Sequence, residues 1–151
     1  MKLAEALVLR ADLVKRLDEL RARMKRSAKV QEGRSPAEDP AALLAQYHTS
    51  ATELERLIAN INLTNAAAQV GGRSMTEALA ARDVLRLRQA AQRELAESAA
   101  VTQSAYTKSE IRWLPAISVA EVQAGADKLS QELRKLDTRI QEANWLIDLS
   151  E

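Results

Sequence analysis

The chain reads as an all-α protein built of four long helices, arranged either as an antiparallel bundle or as paired helical hairpins. Three observations predict this. Hydrophobic residues make up 46% of the 151 residues and charged residues 28%, an Ala/Leu/Glu/Arg-rich composition typical of long helices. There are only four Gly and three Pro, too few for a sandwich or barrel that turns every 8–12 residues or so. Apolar residues also recur at alternating steps of three and four, the spacing of one helix face. The length suits one domain with a core of its own, over residues 1–151.

The first helix is expected over about residues 2–27. Leu3, Ala6, Leu13, Leu17, Leu20 and Met24 form its seam, interrupted at Arg10, and neither Gly nor Pro breaks it. Leu7 and Val14 widen the stripe toward a second partner, which suits a bundle better than an isolated two-stranded coil. Residues 28–40 form a connector punctuated by Gly33, Ser35-Pro36 and Asp39-Pro40. Asp39 is a good N-cap for a second helix over 40–68, with Pro40 in its first turn. Its predicted seam is Leu44, Tyr47, Ala51, Leu54, Ile58, Ile61, Asn65 and Ala68.

The pair Gly71-Gly72 marks a tight reversal, and Ser74 with Glu77 forms a capping box for a third helix over 75–104. Leu79, Ala80, Val84, Leu87, Ala91 and Leu95 are its predicted buried face. Around Tyr106 to Ile117 the pattern changes. Ile111, Trp113 and Ile117 alternate with other residues and Pro115 forbids a helix interior, so a short extended segment is expected near 109–117. Val30 is the expected strand partner of Ile111–Trp113. Ser118 and Glu121 then cap a fourth helix over 119–149. Its seam of Val122, Ala126, Leu129, Leu133, Leu136, Ile140, Ala143 and Ile147 is the cleanest heptad in the chain.

Composition excludes whole chemistries. Without Cys there is no disulfide framework, thiolate nucleophile or Cys-based metal site. His48 is the only His and has Ala45, not Glu, three residues before it, so the Glu-x-x-His pattern of di-metal bundles is missing. No metal, cofactor or catalytic residue is assigned, and the enzyme reading has no named substrate. Gly71-Gly72-Arg73-Ser74 lacks the strand and lysine of a phosphate loop and reads as a turn. The opening residues, with an early acid and no continuous apolar run, carry no secretory leader, so a cytoplasmic protein is expected.

Three groups of residues stand out. Arg21, Arg23, Lys25, Arg26 and Lys29 form a basic run at the end of the first helix. Cations there complement the helix dipole and solvate the surface; a nucleic-acid or phosphate surface is the sharper reading. The scarcity of aromatics (3%) and a net charge of +1 weigh against that reading. Asn62, Thr64 and Asn65 make a polar cluster near the end of the second helix, with Arg82, Asp83 and Arg86 as candidate neighbours on the third. A satisfied network that sets register is the plainer reading of these six residues; a ligand pocket is the alternative. Trp113 and Trp145 are core anchors or subunit contacts, where Trp is enriched.

Short phrases spread along the whole chain are similar to a small bacterial family often labelled "septicolysin". They include Met1–Leu7, Ala28–Gly33, Glu38-Asp39-Pro40, Ile61-Asn62 with Thr64-Asn65-Ala66, Ala78–Ala80 with Arg82-Asp83, Ser109–Ile111, and Leu136-Asp137 with Asn144-Trp145. The resemblance implies a helical fold and a bacterial, cytoplasmic protein; it brings no catalytic residues. The label names a pore-former, but β-barrel cytolysins need amphipathic β-hairpins in a much longer chain. No helix here sets a broad apolar face against a lysine-rich one, so a membrane-active role is disfavoured. The expected function is a self-associating helical structural or interaction protein, a homo-oligomer. Binding of nucleic acid or a phosphorylated ligand at the basic helix end is the alternative.

Overall fold

The computed structural model describes residues 1–100 and 111–150. It contains four long α-helices, α1 (Leu3–Ser27), α2 (Pro40–Ala67), α3 (Met75–Ala99) and α4 (Val119–Leu146). Two short strands, β1 (Gln69–Val70) and β2 (Arg73–Ser74), lie between α2 and α3. The fold is all-α, as the periodicity predicts. The expected continuation of α3 over 101–104, and Ser109 and Glu110 of the extended segment, lie outside the described residues. The chain divides into two compact units, residues 1–68 with 141–151, and residues 69–140.

In the first unit α1 packs against α2. Leu9 and Leu57 line one groove and Leu20 and Gln46 another, so the two helices run antiparallel. Asp39 Oδ1 accepts the Ala41 N–H at 2.9 Å and Pro40 occupies the first turn, which sets the start of α2. The α1 seam lies where expected: Leu3, Ala6, Leu13 and Leu20 are buried, and Leu17 and Met24 half-buried. Val14, at the edge of that stripe, remains 46% exposed.

The α2 seam requires a correction. The buried row is Leu43, Ser50, Leu57, Ile61 and Thr64, with Tyr47 and Leu54 half-buried, whereas Leu44 and Ile58 are 46% and 39% exposed. The core face is turned by one residue at every other seam position. Leucine or isoleucine occupies both rows at 43/44 and 57/58, so periodicity alone does not choose between them. Packing chooses, and it accepts Thr64 because the hydroxyl has two partners within the unit.

The second unit begins at the Gly-Gly reversal. Gly71 and Gly72 adopt φ of 59° and 83°, the left-handed region in which a side chain is strained. They close a hairpin pairing Gln69 with Ser74 and Val70 with Arg73. The Ser74 hydroxyl accepts the Glu77 N–H at 3.2 Å, and Glu77 accepts the Ser74 N–H at 2.7 Å. The Ser74 N–H, and then the Ser74 hydroxyl at 2.9 Å, hydrogen-bond the Glu77 carboxyl and hold it below its ordinary pKa. The Ser118 hydroxyl likewise accepts the Glu121 N–H at 3.3 Å and starts α4.

Within this unit α3 and α4 run antiparallel. Arg82 and Arg86 face Asp137, and Gln92 reaches Gly125. The α4 seam follows the expected heptad: Ala126 and Ile140 are buried, and Val122, Leu129, Leu133 and Leu136 half-buried. On α3 the expected face is again corrected. The buried or half-buried row is Met75, Ala78, Arg82, Leu85, Gln89, Gln92 and Ala96; of the expected face only Leu79 is half-buried, while Ala80, Val84, Leu87, Ala91 and Leu95 are exposed. This inner row is more polar than the outer one. It faces inward because Gly125 leaves room for the Gln92 side chain and Arg82 finds its acid on that side.

The expected pairing of Val30 with Ile111–Trp113 is overturned. Neither segment carries a strand; Val30 is 50% exposed, Ile111 93% and Trp113 80%. One Val between polar neighbours buries too little apolar surface to fix an extended segment, and Pro115 lacks a donor.

Candidate functional site

The polar run at the end of α2 is a fastening point for the C-terminal segment. Thr64 is 2% exposed. Its hydroxyl donates to the Asn60 carbonyl at 2.8 Å and accepts the Ser150 N–H at 2.9 Å. Asn62 is exposed and Asn65 half-buried, so Thr64, not Asn65, occupies the seam. The same C-terminal segment closes on the start of α1. Leu3 N–H donates to the Ile147 carbonyl and Leu149 N–H to the Met1 carbonyl, both at 2.9 Å. The Leu3 bond satisfies one of the free donors that every helix start leaves. Lys2 Nζ lies 2.9 Å from Asp148 Oδ1 and donates to the Leu146 carbonyl at 3.0 Å. Lys2 holds the Asp148 carboxyl below its ordinary pKa by hydrogen-bonding it and by its charge. Sequence reading missed this clasp because its backbone bonds join residues almost the full chain apart and carry no side-chain signature.

Arg82, Asp83 and Arg86 do come together, around Asp137 of α4. Arg82 Nε and Nη2 each lie 3.1 Å from Asp83 Oδ1. Asp137 Oδ1 is 3.8 Å from both Arg82 Nη1 and Arg86 Nη2, and it is buried without a hydrogen-bond partner. Two arginines face two carboxylates, so the cluster is balanced in charge and spans α3 and α4.

The basic helix end is partly met by acids. Glu38 receives Arg23 through both Nε and Nη2, and Arg21 pairs with Asp18 at 3.0 Å. The hydrogen bond to Arg23 holds the Glu38 carboxyl below its ordinary pKa and raises that of the guanidinium. Lys25, Arg26 and Lys29 remain exposed. The basic run is therefore opposed in part by Glu38, which the connector returns to α1. Exposed His48 stands edge-on to Tyr47, with ring centroids 6.1 Å apart. Among the described residues no three His, Cys, Asp or Glu side chains are grouped to hold a metal. No described helix is long and apolar enough to cross a membrane.

What stands out is apolar surface. Trp145, 61% exposed, walls a groove of about 360 Å³ in the first unit with Ala4, Leu7, Val8 and Ala11 of α1. Val8 is 60% exposed, and Leu146 beside Trp145 is 76% exposed. In the second unit the outer row of α3 exposes Val84 at 44%, Leu87 at 71% and Leu95 at 48%. Trp113 is also exposed but sits in an irregular segment. Periodicity finds the α3 row and assigns it to the core; only the fold shows it facing outward.

The profile of a family of unknown function, DUF6847, matches residues 10–149. The chain belongs to this family. It is also similar to a functionally unknown conserved protein from Corynebacterium diphtheriae, solved as a crystal structure. The two are 34% identical over 99% of each chain, with a TM-score of 0.91. No curated protein matches the chain. The chain thus shares its fold with an experimentally solved protein whose function is likewise unknown.

Proposed function

We propose that this DUF6847 protein is a self-associating helical protein with a structural or interaction role. One observation carries the reading: large apolar side chains face outward, foremost Trp145 and Val8, which line the groove of the first unit, and the Val84, Leu87 and Leu95 row of α3. Single exposed apolar residues are ordinary on any protein, whereas contiguous apolar grooves mark contact surfaces. Trp is among the residues that dominate such contacts.

The reading is tested by sedimentation equilibrium of the full chain from 1 to 200 µM. A dimer or higher assembly is expected, and a monomer throughout that range overturns the proposal. Trp145→Ala reports whether the groove takes part. Truncation of a central Trp anchor typically costs about 2 kcal/mol or more of association energy, roughly thirtyfold in affinity.

A further inference from the structure

We propose that the outer face of α3 docks on the same face of a second copy, antiparallel, about a twofold axis at Ala91. The inference rests on the self-association reading and gives the second unit a contact of its own, with a surface and a geometry, beside the Trp145 groove of the first. Val84, Leu87, Ala91 and Leu95 recur at steps of three and four on the side of α3 opposite its buried row. Ala80 and Ser98, both small and exposed, continue the row at its two ends. Leu87 and Leu95 lie four residues to either side of Ala91. An antiparallel twofold through Ala91 therefore sets Leu87 against the second copy's Leu95 and Val84 against its Ser98. Ala91 at the centre lets the two helices approach closely.

Charge selects this occupant and this direction. Gln92 reaches Gly125, so the midpoint of the α3–α4 hairpin falls near residues 88 and 129. One half, residues 73–88 with 129–140, carries seven cations and four acids, a net +3. The other half, residues 89–100 with 119–128, carries two cations and four acids, a net −2. The hairpin is electrically lopsided along its length. Antiparallel docking lays each positive half on the second copy's negative half and brings Arg88 level with Glu94. Parallel docking lays like on like. Complementary fields of this kind set register and orientation between partners.

The chain has no Cys, so single-cysteine variants report position without background. Disulfides need Cα atoms within about 7 Å. Under mild oxidation Ala91→Cys is expected to form a covalent dimer. Val84→Cys and Ser98→Cys are expected to cross-link when mixed but not alone. Leu87→Glu, at a side chain 71% exposed, is expected to leave the helical circular dichroism unchanged and weaken the dimer at least about tenfold. Arg88→Glu is expected to weaken it as well, with recovery in the double variant Arg88→Glu/Glu94→Arg. Cross-linking of Val84→Cys alone as efficiently as Ala91→Cys overturns the antiparallel geometry. An unaltered dimer in Leu87→Glu, or no Ala91→Cys cross-link in a chain that sediments as a dimer, overturns the α3 surface while self-association stands. A monomeric wild-type chain removes both.

Discussion

Leu43 and Leu44 are adjacent, chemically identical and on the same helix, yet one is 3% and the other 46% exposed. The heptad read from sequence places Leu44 in the core; the fold places Leu43 there. Truncating each to Ala separates the two. A buried Leu→Ala change costs roughly 2–5 kcal/mol, from lost transfer energy plus the cavity it leaves. At Leu44 about half of the side chain already meets water and no enclosed cavity forms, so the loss is about 1 kcal/mol or less. Helix propensity changes equally in both variants and cancels from the comparison. The expected gap is about 2 kcal/mol, which corresponds to a difference of roughly 4–8 °C in Tm for a chain of this size. Urea denaturation followed by circular dichroism at 222 nm, at one fixed protein concentration, measures it. Equal destabilisation by the two variants, or a larger effect at Leu44, refutes the assignment of the α2 core face.

Three further outcomes are expected. Thr64→Val keeps the shape but strips the hydroxyl that accepts the Ser150 N–H, so stability falls by about 1–2 kcal/mol; a neutral result in chemical denaturation counts against the clasp. The depressed carboxyls of Glu38, Glu77 and Asp148 bind protons more readily in the unfolded chain, so their stabilisation is full above their ordinary values of 4.5, 4.5 and 3.8. It is lost as pH falls below those values, and the urea midpoint drops with it. Asp148→Asn and Glu38→Gln each flatten that drop; an unchanged acid limb in both variants contradicts the ion-pair assignments. Gly72→Ala forces a side chain into φ of 83° and costs about 1–2 kcal/mol, read as a lower thermal midpoint, whereas an unaffected midpoint places the reversal elsewhere.

Much of the candidate surface is legible from the chain, but its exposure is not. Residue types flag Thr64 and the Arg82, Asp83 and Arg86 group, but not their partners: the Thr64 hydroxyl bonds Asn60 and Ser150, and Arg82 and Arg86 face Asp137. Trp145 is identifiable as an anchor for one of two roles. The α3 row is visible as a stripe, yet periodicity assigns it to the wrong side. A pattern of apolar residues says that a face seeks a partner, not whether the partner is in the same chain.

Helix starts and turns follow from the sequence because they depend on local chemistry: Asp39-Pro40, Ser74 with Glu77, and Gly71-Gly72 act within a few residues of themselves. The end of α4 does not: the seam predicts it at 149 and it falls at Leu146, because Ile147 and Leu149 bond to Leu3 and Met1 instead. The clean α4 seam also follows, since only one row there is apolar throughout. The tertiary structure decided what local chemistry leaves degenerate. It chose between the neighbouring rows of α2, turned the side of α3 that carries Arg82 and Gln92 inward toward Asp137 and Gly125, and fastened Ile147–Ser150 to Met1, Leu3 and Thr64. Each of those choices turns on contacts between residues far apart in sequence, whose free energy exists only once the helices meet.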